Sequence, residues 1–139
     1  MNYMFKLGEH SRPITLSNVE AQPWFDRGLA WVYGFNHEEA INCFEEAVRI
    51  DPSCAMAYWG IALASGPFYN LPWEWLSDDE AEKAVLTCYG AAQQALDRSD
   101  GAVPVERALI QALSRRYPSE KAANIEEFHR WDDAYADAM

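Results

Sequence analysis

The residues best suited to chemistry lie near the C-terminus, in the stretch EEFHRWDD. Glu126, His129 and Asp133 are spaced by three and four residues, so on a helix they share one face. Carboxylates and an imidazole at that spacing could hold a divalent metal ion. Such triplets are also common on solvated acidic helices, and the other histidines, His10 and His37, lie far away in the sequence. We therefore favour a solvated acidic face and predict no metal site.

The rest of the chain carries few signatures of catalysis. It has no glycine-rich phosphate loop and no nucleophile elbow. Its three cysteines, Cys43, Cys54 and Cys88, contain no CxxC metal pair, and their odd number makes a poor disulfide framework. We interpret the cysteines as small apolar residues of a reduced cytosolic protein. The sequence therefore predicts a non-catalytic, cytoplasmic protein that uses no cofactor.

Charge and composition restrict the classes of partner. The 139 residues include 22 acidic and 11 basic side chains, which gives a net charge of −11. A surface this acidic repels phosphate backbones and anionic lipids, so we predict neither a nucleic-acid nor a membrane partner. The longest apolar run, Ala55–Ala64, is about half of what a bilayer requires. Half of the residues are hydrophobic, which is enough for the core of one folded domain.

Six helices follow from apolar periodicity and from residues that are typical of helix ends. Ser17 with Glu20, and Ser77 with Glu80, have the spacing of capping boxes at helix starts. The predicted helices run from Ser17 to about Gly34, from Glu38 to Ile50, from Ser53 to about Ser65, from Ser77 to about Arg98, from Pro104 to about Tyr117, and from 119 to 139. No segment reads convincingly as a strand, so the chain is predicted to be all-α.

Small and aromatic residues recur at one spacing on the first two helices. The shared positions are Trp24, Gly28 and Trp31 on the first helix, and Ala40, Phe44 and Ala47 on the second. A glycine inside a helix costs about 1 kcal/mol relative to alanine, so a compensating close contact is expected. Two helices joined by a very short turn pack antiparallel. We expect Gly28 to face Ala40 and Ala47, while Phe44 and the tryptophans fill the remaining space.

This pattern resembles the tetratricopeptide repeat family, in which W-x2-L-G-x2-Y is followed by A-x3-F and then P. The chain reads Trp24-x2-Arg27-Gly28-x2-Trp31, then Ala40-x3-Phe44, then Pro52, so Arg27 replaces the usual leucine. The resemblance implies an all-α fold of antiparallel helix pairs, stacked as a short right-handed superhelix. We divide the chain into a loose N-terminal arm at 1–16 and a helical domain at 17–139, with a clear repeat at 22–55, degenerate repeats after 56 and a loop insertion at 66–77.

In this family the first helix of each pair lines a concave face that binds peptides or protein segments. Carried over to this chain, the resemblance implies a groove formed by Phe25, Leu29, Val32, Tyr33, Trp59 and Leu63. Some relatives clamp a terminal carboxylate with lysines and asparagines, but Phe25, Asp26 and Leu29 stand at the matching positions here. An apolar or basic segment is therefore the expected partner. The alternative is that these side chains are simply packed beneath neighbouring helices.

Four aromatic residues crowd the predicted loop insertion, namely Phe68, Tyr69, Trp73 and Trp75. They could line a ligand pocket or anchor a partner, because aromatic residues dominate binding hot spots. An aromatic insertion more often folds back and plugs its own domain, and we favour the plug. The pocket alternative would make the chain a helical ligand-binding region of a longer enzyme or small-molecule-binding protein. The stretch from Phe35 to Pro67 also resembles uncharacterised bacterial tetratricopeptide proteins of greater length, which suggests an N-terminal fragment.

The last predicted helix carries an apolar stripe made of Ile125, Phe128, Trp131, Ala134 and Tyr135. Such a stripe needs a cover. It must either pack inward on the preceding helices or meet a second copy of the protein. We favour a homodimer, because a twofold contact through this helix would bury both stripes at once.

Overall fold

A computed structural model describes residues 3–139, and within that range the protein is all-helical, as predicted. The helices are α1 (Gln22–Tyr33), α2 (His37–Ile50), α3 (Ala55–Ser65), α4 (Asp78–Asp97), α5 (Pro104–Arg116) and α6 (Ile125–Ala138). Short 3₁₀ turns lie at Val19–Ala21, Trp73–Trp75 and Ser99–Gly101. The only β-pairing in the described range is an isolated bridge between Phe68 and Leu71.

Two predicted helix starts are confirmed in their chemistry, and Asn36 provides a further cap. Ser77 and Glu80 form a reciprocal capping box at the start of α4, and Pro104 occupies the first turn of α5. The side chain of Asn36 accepts a hydrogen bond from the amide of Glu39 and caps α2. The first N–H groups of a helix have no partner within the helix. Ser77 and Asn36 accept hydrogen bonds from such groups, and Pro104 has no N–H to be satisfied.

Two predicted serine caps are wrong, and a single carboxylate explains both. Asp51 is buried in the turn between α2 and α3. Its Oδ2 accepts the amide of Ser17 at 2.6 Å and that of Asn18 at 3.0 Å, while Oδ1 accepts the amide and hydroxyl of Ser53. Both serines are therefore held by Asp51 and cap no helix. Helix α3 begins after Cys54 instead.

The first and last helices start later than predicted. Asn18 caps only the 3₁₀ turn that precedes α1, so α1 itself begins at Gln22 rather than at Ser17. Helix α6 begins at Ile125 rather than near 119, because Asn124 accepts the amide of Glu127 and forms the cap. An asparagine therefore caps the 3₁₀ turn before α1 and the start of α6, while α1 itself begins without a side-chain cap.

The helices pack as consecutive pairs, α1 with α2, α3 with α4, and α5 with α6. Each pair also contacts the next through α2 with α3 and α4 with α5. In addition, α3 contacts both α1 and α5. The first helices of the three pairs are therefore neighbours, and together they form one side of the protein.

The close contact expected at Gly28 is present, but its partner is Phe44. A Cβ atom on Gly28 would lie 2.5 Å from Cε1 of Phe44. A Cβ on Gly60 of α3 would lie 2.5 Å from Cδ1 of the same ring. The three atoms nearest to an added Cβ on Gly28 all belong to Phe44, while Ala40 and Ala47, expected to face Gly28, are fully buried. The ring of Phe44 lies between two glycines and joins the first three helices.

Residues 3–16 are not a loose arm, because hydrogen bonds hold their irregular backbone along α1. Asp26 accepts the hydroxyl of Ser11 and the amide of Arg12, at 2.7 and 3.0 Å. Gln22 accepts the amide of Ile14 and donates to the carbonyl of Arg12. Side chains of α1 thus pair with this backbone and hold it in place.

Aromatic contacts attach the beginning of the arm to α1. The indole N–H of Trp31 donates to the hydroxyl of Tyr3 at 2.7 Å, and Tyr3 packs edge-on against Trp24. The guanidinium of Arg27 lies 4.4 Å from the ring centroid of Tyr3 and 4.6 Å from that of Trp24. The two tryptophans therefore support the arm, and the arginine that departs from the repeat pattern makes cation–π contacts with it.

Much of the C-terminal apolar stripe packs inward. Trp131 is 8% exposed, and Phe128 stacks on Trp73 of the connection between α3 and α4 at a centroid distance of 4.0 Å. Arg116 of α5 pairs with Asp132 at 2.7 Å, so an ion pair also fixes α6 to its partner helix. Trp131 and Phe128 are thus covered within the chain, whereas Ile125 is 38% exposed, and the homodimer stays a prediction.

Candidate functional site

A groove of about 590 Å³ opens on the side formed by the first helices of the pairs. This volume lies within the range of roughly 300–1,000 Å³ that is usual for ligand sites. The lining side chains come from the arm (His10, Arg12, Ile14), from α1 (Phe25, Leu29, Val32, Tyr33), from α3 (Met56, Trp59, Leu63), from α5 (Val105, Glu106, Leu109) and from the C-terminal end (Tyr135, Met139). The lining is mostly apolar, with few charged groups.

All six groove residues that the sequence predicted lie together in this lining. They differ in burial. Phe25 is buried and Trp59 is 8% exposed, so these two rings form the floor and also belong to the core. Leu29, Val32 and Leu63 are half-buried, and Tyr33 is 79% exposed at the rim. Phe25 and Trp59 are therefore packed beneath neighbouring helices, whereas the other four side chains are exposed at least in part to the groove.

Sequence reasoning missed the contribution of the third pair. Val105, Glu106 and Leu109 of α5 complete the groove wall opposite α1, and Tyr135 of α6 lies at the same end. The third pair lacks the tryptophan and glycine signature, so its register could not be aligned with the first repeat. The helical spacing of Val105 and Leu109 was the available signal.

One charged side chain of the groove is buried. Glu106 is 3% exposed, and its Oε1 accepts the backbone amide of Thr15 at 2.8 Å. Its Oε2 is buried without a hydrogen-bond partner, and the same is true of Nε1 of Trp59. The groove therefore contains one unpaired acceptor and one unpaired donor, in surroundings where unsatisfied polar atoms are costly.

The aromatic loop divides into buried and exposed halves. Trp73 is buried against Tyr117 and Phe128. Phe68 stacks on His37 at a centroid distance of 3.8 Å. Tyr69 is 92% exposed, and Trp75 also points to solvent. Two of the four aromatics thus fold back on the domain, and the other two do not share a site with them.

A second cavity, of about 610 Å³, lies beside this loop. Trp73 is the only one of the four predicted loop aromatics that lines it, together with Leu76, Val85 and Phe128. The indole Nε1 of Trp73 is buried without a partner. Acidic side chains of the loop and of α4 also border the cavity, which gives it a more polar lining than the groove.

One member of the α6 triplet, His129, contacts the loop between α3 and α4 instead of the other two members. Nε2 of His129 lies 2.6 Å from Oε1 of Glu74, and both side chains are about half-exposed. Among residues 3–139, no group of three or more histidine, cysteine or acidic side chains is placed to hold a metal ion. His129 thus helps to connect α6 with the loop.

The cysteines are free, buried thiols. Burial raises the pKa of Cys54 to about 11 and that of Cys88 to about 12. A thiol reacts through its thiolate form, so these side chains are poor nucleophiles at neutral pH. His37 is half-buried rather than a free surface residue, and burial lowers its pKa although a backbone contact at Phe35 opposes the shift.

Comparison with known proteins agrees with the helix pairs described above. Residues 21–54 match the family model of the tetratricopeptide repeat, so the chain carries a tetratricopeptide repeat that spans α1 and α2. The tetratricopeptide repeat predicted from the sequence is thereby confirmed over residues 21–54. No curated protein and no solved structure matches the chain significantly. Within residues 3–139, every helix is too short or too polar to cross a membrane.

Proposed function

We propose that the protein is a non-catalytic interaction module that binds a peptide or protein segment in the groove between α1, α3 and α5. The observation that carries this proposal is the joint placement of all six predicted residues in one apolar groove. The tetratricopeptide repeat supports it, because repeats of this kind generally serve protein interaction and not catalysis.

The chemistry of the groove favours an apolar segment. Leu29, Val32 and Leu63 present aliphatic surface to solvent, and Tyr33 stands at the rim. The net charge of −11 disfavours acidic segments and nucleic acid. A segment with apolar side chains would bury the aliphatic wall and leave the polar rim hydrated, which is the usual arrangement of an interface.

A peptide selected from a random phage-displayed library on the immobilised protein provides the test. Leu29→Asn combined with Val32→Asn should weaken binding of that peptide at least tenfold, because two apolar contacts become polar without a change of charge. Leu86→Asn combined with Val103→Asn is the matched control, since these exposed residues lie outside the groove. Equal binding by both double variants would contradict the proposal, provided that circular dichroism shows both to be folded.

The alternative function, a small-molecule site at the aromatic loop, has one supporting observation. Trp73 lines the second cavity with an unpaired indole nitrogen. The ring face of Trp73 is already occupied by Phe128, however, and Phe68, Tyr69 and Trp75 do not line that cavity. The segment-binding function is therefore the better supported of the two.

The cysteines bear on the compartment in which the protein works. Three buried free thiols suit a reducing compartment, and we propose a cytoplasmic protein. The proposed homodimer through α6 has less support, since Trp131 is covered within the chain. Sedimentation across a concentration series would detect a dimer directly.

A further inference from the structure

We propose that Glu106 is the receptor for a positively charged side chain, a lysine or arginine, carried by the apolar segment that the groove binds. This inference rests on the proposed function and specifies the chemistry of its ligand. It follows from the state of one carboxylate in the groove.

Glu106 is buried without a compensating cation. It is 3% exposed, and within residues 3–139 the ion pairs are Arg49 with Glu46, Arg116 with Asp132 and His129 with Glu74. The amide of Thr15 satisfies Oε1, and Oε2 has no partner. Removing a carboxylate from water is costly unless a partner replaces the lost hydration. A cation delivered by a ligand would supply that partner.

The surroundings of Glu106 suit a cation on an apolar stem. The aliphatic parts of a lysine or arginine can lie along apolar surface such as Leu109 and Leu63, while the charged head reaches a carboxylate. Trp59 lines the same groove, and an indole ring attracts cations through its face. Its buried Nε1 has no acceptor, so it could donate to a carbonyl oxygen of the bound segment.

Charge complementarity selects this occupant over an acidic or a purely apolar one. An acidic segment would place like charges together at Glu106 in a protein whose net charge is already −11. A purely apolar segment would leave Oε2, which is already buried without a partner, unsatisfied. His10 and Arg12 also border the groove, but both are exposed and neither forms an ion pair with Glu106.

Calorimetric titration with three matched pentapeptides tests the inference. The probes are Ac-Ala-Leu-X-Leu-Ala-NH2, where X is lysine, norleucine or glutamate, at about 0.15 M salt to screen distant surface charges. The wild-type protein should bind the lysine peptide about tenfold or more tightly than the norleucine peptide, and the glutamate peptide most weakly.

Glu106→Gln isolates the charge. Glutamine keeps an oxygen for the amide of Thr15 and nearly the same shape, so the fold should persist; thermal unfolding checks this. The variant should lose the lysine preference while still binding the norleucine peptide. Glu45→Gln removes one negative charge from the exposed surface of α2, and it should keep the preference.

Three outcomes would overturn the inference, and they separate it from the proposed function. A lysine preference that persists in Glu106→Gln would assign the preference to general surface charge. Equal binding of lysine and norleucine peptides by the wild-type protein, lost in the Leu29→Asn and Val32→Asn variant, would leave the groove proposal standing without the receptor. No binding of any peptide would overturn both.

Discussion

The ring of Phe44 lies directly against the Cα atom of Gly28, so that a Cβ atom there would lie 2.5 Å from Cε1 of the ring. Real Cβ atoms do not approach other carbons this closely, so the contact requires glycine at position 28. The contact explains why a residue that weakens helices stands in the middle of α1. Gly60 of α3 is equally close to this ring, since a Cβ atom there would lie 2.5 Å from Cδ1.

Replacing Gly28 with alanine should destabilise the protein. The added methyl group would displace the ring of Phe44, and overpacking of this kind costs about 1–3 kcal/mol. Gly90→Ala is the matched control, because Gly90 also lies inside a helix but has no neighbouring atom within 4 Å of an added Cβ. It should stabilise the protein by up to about 1 kcal/mol through helix propensity. Urea denaturation of both variants would measure the difference, and equal stabilisation would show that the Phe44 contact is unimportant.

The fold and much of the groove could be predicted from the sequence because their signals are local. The spacing of Trp24, Gly28 and Phe44 identified the first helix pair. The resemblance to the tetratricopeptide repeat then implied that Leu29 and Trp59 line one groove. The wrong helix caps, at Ser17 and Ser53, arose where a side chain elsewhere in the fold binds the residues that were expected to cap. Asp51 accepts the amides of Ser17 and Asn18, 34 and 33 positions earlier, and the amide and hydroxyl of Ser53, two positions later. No local pattern reveals these contacts.

Glu106 and the arm were missed for a related reason. Periodicity gives no information about an irregular segment whose backbone is held by side chains of other elements. The arm is positioned by acceptors on α1 and by Glu106 of α5, which lies 91 residues after its partner Thr15. The proposed role of Glu106 likewise depends on its burial. The third helix pair lacks a clear repeat signature, so its sequence does not predict that burial.

Gly66 should tolerate alanine no better than Gly28. A Cβ atom on Gly66 would collide with the hydroxyl oxygen of Tyr117, which is fully buried. We expect Gly66→Ala to destabilise the protein by about 1–3 kcal/mol. Tyr117→Phe removes the oxygen and should recover part of that loss in the double variant. Strict additivity of the two changes in a double-mutant cycle would contradict the contact.

Asp51→Asn should destabilise the turn that holds the arm. Each oxygen of Asp51 accepts two hydrogen bonds, so an amide group would face two donors in either orientation. We expect a loss of about 1–3 kcal/mol in the free energy of unfolding. Asp26→Asn makes the same charge change at exposed hydrogen bonds and should cost less than about 0.5 kcal/mol. Similar losses for the two variants would argue against the central role of Asp51.

Mild acid should weaken the contact between α2 and the loop. Burial lowers the pKa of His37, so the unfolded chain binds a proton at a higher pH than the folded protein does. The contribution of His37 is therefore complete above its ordinary pKa of about 6.5 and is lost as the pH falls through the lower folded value. His37→Phe keeps the stack on Phe68 without titrating, and its stability should rise relative to wild type between pH 7.5 and pH 5.

An outcome in which the difference between wild type and His37→Phe is constant over that range would contradict the burial of His37. Phe68→Ala offers an independent check, because it opens the imidazole face to water. In that variant the pH dependence should become smaller.

Binding in the groove is tested most directly by mapping the amide signals that shift when a selected peptide is titrated into the isotope-labelled protein. The shifts should concentrate on the groove-lining residues of α1, α3 and α5, including Leu29, Val32, Trp59 and Glu106, and spare the exposed face of α4 around Leu86. Shifts confined to α2 and α4, or to the loop around Tyr69, would contradict it.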